Sequence, residues 1–168
     1  MTVTLLLAFV LSFLSDPAAQ PGFLGLRVGM KAATALAIAD KKPDALEHAK
    51  PHAGQRVISD ILSLTDCEIP MKRSLGFDTA GTLTAVGLTY ETFPERIAEA
   101  RDCAFKWLTK TYGPPTSESV ADSVKQEVWQ YDGVKLTLEA KQYNPHDVFV
   151  LIYYYKDDTN GTARATNQ

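Results

Sequence analysis

The chain has 168 residues, 45% apolar and 22% charged, which is enough to bury one ordinary core and far from the composition of a disordered polymer. Its formal net charge of −3 supplies no basic field to gather phosphates, so no nucleic-acid partner is expected.

Residues 3–14 form an almost uncharged apolar run, followed by Ser15, Asp16, Pro17, Ala18, Ala19 and Gln20. An apolar core and a small-residue tail make a secretory signal. A helix of this run rises about 18 Å, short of the roughly 30 Å hydrocarbon layer, so a retained anchor is the second reading. No Lys or Arg precedes the run, and a cut after Ala19 places Pro17 three residues before the bond. With no cysteine at the cleavage point, no lipid anchor is expected. The expected organisation is a signal over residues 1–19, a single α+β domain over 20–156 and a disordered tail over 157–168, where Asn160-Gly161-Thr162 matches a glycosylation acceptor.

Residues 23–28 read as a short strand, and residues 31–40 as a helix with Met30, Ala33, Leu36 and Ala37 on one face. Pro43 and Pro51 bracket a polar stretch that reads as irregular to about residue 55. Over residues 56–65 the spacing of Val57, Ile58, Ile61, Leu62 and Thr65 predicts a helix or irregular structure, because Ile58, Asp60, Leu62 and Leu64 only half suit a strand. Residues 71–77 and 82–90 predict a hairpin through Asp78-Thr79-Ala80-Gly81.

Thr92 and Glu95 have capping-box spacing, and Gly113, Pro114 and Pro115 supply a stop. The helix between them gathers Ile97, Ala100, Ala104, Trp107, Leu108 and Thr111 on one face and leaves its charges, Arg101 among them, mostly outside that stripe. Strands over 127–131 and 134–141 meet across Asp132-Gly133, and Asn144 to Asp147 turn the chain into a last strand over 148–156. The predicted fold class is thus α+β, an antiparallel sheet with helices packed on one face.

An oxidising compartment lets Cys67 and Cys103 pair, tying the segment before the first hairpin to the middle of the main helix. Two buried, unpaired thiols are the alternative. Neither cysteine has a second one two or three residues away, so no redox catalysis is expected.

Phe23-Leu24-Gly25-Leu26-Arg27-Val28-Gly29-Met30 opening a helix, then a hairpin, then Leu108-Thr109-Lys110-Thr111-Tyr112-Gly113-Pro114-Pro115 before paired strands, resembles a broad group of small exported bacterial α+β proteins. The layout is similar to β-lactamase inhibitor proteins and to outer-membrane assembly lipoproteins of the BamE type, which implies a helix laid on an antiparallel sheet. Lys31 stands where a Ser or Thr helix cap is usual, and no lipidated cysteine is present, so no functional residue is carried over.

His48, His52 and His146 are the only histidines, and none lies in a pattern that positions a base. His48 and His52 have helical spacing with Asp44 and Glu47 nearby, but Pro51 interrupts the geometry a metal pair needs. No phosphate loop or nucleophile elbow occurs. The chain is therefore expected to be no enzyme, with no metal and no small-molecule cofactor.

The last strand is apolar on both sides: Val148, Val150 and Ile152 alternate with Phe149, Leu151, Tyr153 and Tyr155. If the aliphatic set joins the core, the aromatic set emerges on the other face, where Trp129 and Tyr131 of a neighbouring strand can widen it. Rings with polar tips suit an interface centre. The expected partner is another protein, gripped and inhibited through these six residues, in the manner of an inhibitor or immunity-type protein. Two other readings stay open. Either a second helix or the segment over 43–70 covers the rings, or the chain is an envelope assembly component docking to a membrane complex, with membrane contact only if the N-terminal segment is retained.

Overall fold

A computed structural model describes residues 22–52, 54–64, 66–121, 124–144 and 146–157. The expected signal and the tail beyond Asp157, including Asn160, lie outside the described residues.

The fold is α+β. Eight strands form one antiparallel sheet: β1 (Lys50–His52), β2 (Gln55–Leu64), β3 (Ile69–Phe77), β4 (Leu83–Thr92), β5 (Ser117–Ala121), β6 (Val124–Tyr131), β7 (Val134–Gln142) and β8 (Val148–Lys156). Their spatial order is β1-β2-β3-β4-β8-β7-β6-β5. Two four-stranded meanders therefore meet where β4 pairs with β8. Helix α1 (Ala32–Ile38) precedes the first meander, and α2 (Ile97–Tyr112) connects the two. No helix among the described residues is long and apolar enough to cross a membrane.

Strand alternation builds the core. Leu88, Ile152 and Leu138 stand side by side across β4, β8 and β7, as do Val86, Tyr154 and Leu136. All six are buried, and α2 lays Ala100, Ala104 and Leu108 into the same cluster. A fully buried leucine contributes about 1.5–3 kcal/mol, so these rows hold the two meanders together. Gly133, at φ 70°, makes the two-residue link between β6 and β7 that the Asp-Gly pair predicts. In the β3–β4 turn the Thr82 N–H donates to Asp78 Oδ1 at 2.8 Å, also as expected. Cys67 and Cys103 are bonded, with Cα atoms 5.9 Å apart, and tie the β2–β3 turn to α2.

Several elements differ from expectation. Residues 23–28 are a tight turn, not a strand: Leu24 and Gly25 have φ of 55° and 79°, closing a single Phe23–Leu26 bridge. In α1 the buried face is Ala35, Leu36 and Ala39, while Ala33 and Ala37 are exposed. The stretch read as irregular contains a 3-10 turn, Pro43–Leu46, and β1.

Residues 56–64 belong to β2 because Asp60, which spoiled the alternation, has partners across space. Arg73 donates to both carboxylate oxygens at 2.9 and 2.6 Å, and Lys41 Nζ lies 2.7 Å away. Arg73 also donates to the Ala39 carbonyl at 2.9 Å, fastening the end of α1. Burial by itself pushes the Asp60 carboxyl up, but the hydrogen bonds from Arg73 and Lys41 hold it below the usual carboxylate value.

The capping box does not form. Thr92 is still strand, paired with Val148, and α2 is led in by a 3-10 turn, Pro94–Arg96, without a side-chain cap. Arg101 does not lie outside the packed side of α2: it reaches Glu127 on β6. Strand β5 was not anticipated.

Candidate partner-binding face

Because β8 lies inside the sheet, its two rows of side chains have different surroundings. Val150, Ile152 and Tyr154 join the core with α2. Phe149, Leu151, Tyr153 and Tyr155 project to the opposite face, as the alternation predicts.

The register sets what surrounds each of them. Tyr153 stands between Gly87 and Thr137, Leu151 between Thr89 and Glu139, Tyr155 between Ala85 and Lys135, and Phe149 between Glu91 and Lys141. The β4 neighbours of Tyr153 and Tyr155 are small, so little flanks these rings on that side. A Cβ at Gly87 would come within 3.3 Å of the Tyr153 Cε1, which means the ring rests on bare main chain. Tyr153 remains 38% exposed. Phe149 and Tyr155 are half-buried, and Leu151, at 4% exposed, is sealed and serves as floor.

Trp129 and Tyr131 do not share this face. Tyr131 pairs with Val134 and Trp129 with Leu136, both core residues, so the same alternation carries the two rings to the helix side. Trp129 is buried and its Nε1 donates to the Gly113 carbonyl at 2.8 Å, while the Tyr131 hydroxyl donates to the Tyr112 carbonyl at 3.3 Å. They anchor the C-terminal end of α2. The two-residue turn at Asp132-Gly133 was the signal that could have placed them, since it fixes which residues face each other.

Two exposed rings that the sequence reading passed over extend the patch. Tyr143, 59% exposed, meets the Phe149 ring edge-on at 5.2 Å, and the Lys141 ammonium lies 5.0 Å from its centroid. Phe93, 70% exposed, follows Thr92 in extended conformation, so alternation from Glu91 brings it to the same face. The patch is thus a ribbon along β8, from Tyr155 through Tyr153 and Phe149 to Tyr143 and Phe93.

Its chemistry is that of contact. Burial, with smaller contributions from Glu139 and other nearby groups, raises the Tyr153 and Tyr155 phenols above their ordinary values, so both hydroxyls are neutral near pH 7 and can donate or accept. Glu139 is held by the Gln126 amide. His48 and His146 are exposed, and among the described residues no group of three or more His, Cys, Asp or Glu gathers to hold a metal. No protein-family model, curated protein or solved structure matches the chain.

Proposed function

We propose that the chain is an exported protein-binding module, of inhibitor or immunity type, that grips another protein through the aromatic face of its sheet and has no catalytic role. One observation carries this reading. A large ring, Tyr153, stands exposed on an interior strand, on the side of the sheet away from α2, where an unpartnered fold would place polar side chains. Tyr143 and Phe93 enlarge it, and aromatic side chains of this kind concentrate binding energy in interface centres.

Helix α2 lays Ala100, Ala104 and Leu108 into the core on the other face, and Tyr153 stays exposed. Arg73, opposite Leu88 in register, projects with the core and reaches Ala39 at the end of α1. The Cys67–Cys103 bond suits an oxidising compartment, in keeping with export.

The test is site-specific photocrosslinking. A photoreactive phenylalanine analogue at Tyr153 should give one discrete adduct in the extracytoplasmic fraction, and the same analogue at Lys106 on α2 should give none. Adducts of equal yield from both positions, or none from Tyr153, would remove the reading.

A further inference from the structure

At the end of the sheet where β2, β3, β4 and β8 run together, the surface falls into a groove of about 530 Å³. Gln55, Asp78, Thr82, Thr84, Tyr155 and Lys156 supply its polar lining. Gly76 makes room for it. A Cβ on Gly76 would fall 2.7 Å from the Gln55 Oε1 and 3.6 Å from the Thr84 Oγ1, so both side chains lie over bare main chain. The Thr84 hydroxyl is fixed by donating to the Gly76 carbonyl at 3.0 Å, and the Asp78 carboxylate by accepting the Thr82 N–H.

We infer that this groove binds a neutral oligosaccharide, with one sugar ring against Tyr155 and its hydroxyls shared among Gln55, Thr84 and Asp78. Four features select that class. The strands beneath are all interior, with ladder partners on both sides, so an extended peptide finds no edge to add to and recognition runs through side chains. An amide, a hydroxyl and a carboxylate together offer donors and acceptors, and sugar hydroxyls each do both. The half-buried Tyr155 ring, with Leu83 and Ala85 beside it, gives an apolar surface for the C–H face of a pyranose. Asp78 and Lys156 bring one charge of each sign, which favours an uncharged ligand over an ion of either sign. The volume lies within the roughly 300–1,000 Å³ usual for small-molecule sites.

The groove touches the proposed protein-binding ribbon only at Tyr155. Gln55 lines the groove and not the ribbon, and Gly76 lies beneath its side chain, so both report on the groove separately.

The experiment is an NMR titration of the purified protein with chitotetraose and cellotetraose as neutral probes and tetra-alanine as a peptide control. Saturable shifts are expected at Gly76, the Gln55 side-chain amide and Tyr155 with at least one sugar, and none there with the peptide. Gly76 lies outside the left-handed region, so Gly76→Ala is tolerated by the backbone and displaces the Gln55 amide. That change and Gln55→Ala should each weaken sugar binding by about three- to tenfold, the effect of losing one hydrogen bond. If Gly76→Ala disturbs folding, Gln55→Ala decides alone. Absence of saturable shifts with both sugars, shifts indifferent to the substitutions, or equal shifts with the peptide would each overturn the assignment.

Discussion

Arg101→Met is expected to be far more damaging than its position on a solvated helix suggests. Glu127 is 0% exposed on β6; its Oε1 takes the Arg101 guanidinium and Lys125 Nζ at 3.1 Å, and its Oε2 has no hydrogen-bond partner. Removing one member of a buried ion pair costs about 3–5 kcal/mol, because a carboxylate is left unbalanced in a poor solvent for charge. Lys125 stays in place and offsets part of this, which puts the loss toward the lower end of that range. The double change Arg101→Met/Glu127→Leu removes both charges and fills the space with apolar atoms, so it should return to within about 1 kcal/mol of the parent. Urea unfolding of the parent, Arg101→Met, Glu127→Leu and the double variant at pH 7, with a common m-value, measures the coupling directly. A single-variant loss below about 1 kcal/mol, or a double variant as poor as the sum of the singles, would refute the reasoning.

Replacing the disulfide by Cys67→Ala/Cys103→Ala opens a link spanning a sequence separation of 36 residues. The chain-entropy relation gives a loss of about 4 kcal/mol, seen as a fall in melting temperature of about 15 °C, and a fall below about 3 °C would contradict it. The lowered Asp60 carboxyl contributes stability that is fully present above the unfolded value of 3.8 and disappears as pH falls through the lower folded value. Asp60→Asn should therefore be less stable at neutral pH and show a flatter acid limb in pH-dependent unfolding. An unchanged limb would mean that the Arg73 and Lys41 pairs do not bear on folding.

Local chemistry was legible wherever it acts alone. The Asp-Gly link, the glycine stop after α2 and the alternation of β8 all appear in the structure because each depends on neighbours in sequence. Elements set by distant partners were not. Strand β2 was hidden by Asp60, an inward charge made acceptable by Arg73 from the next strand and Lys41 beyond α1. Strand β5, Ser-Glu-Ser-Val-Ala, has no apolar period because it is an edge with both faces largely wet.

Arg101 read as a charge outside the packed stripe of its helix, and only packing α2 over β6 brings it to Glu127. The ribbon was half legible. Parity gave the β8 row, whereas Trp129 and Tyr131 needed the register, and Phe93 and Tyr143 sit just outside their strands, where pattern reading stops.

The most direct measurement pairs partner retention with melting temperature for Tyr143→Ser/Tyr153→Ser. Retention should fall by about tenfold or more while the melting temperature stays within about 3 °C of the parent, since neither ring belongs to the core. A collapse of folding, or retention at the parental level, would contradict an open gripping surface on this sheet.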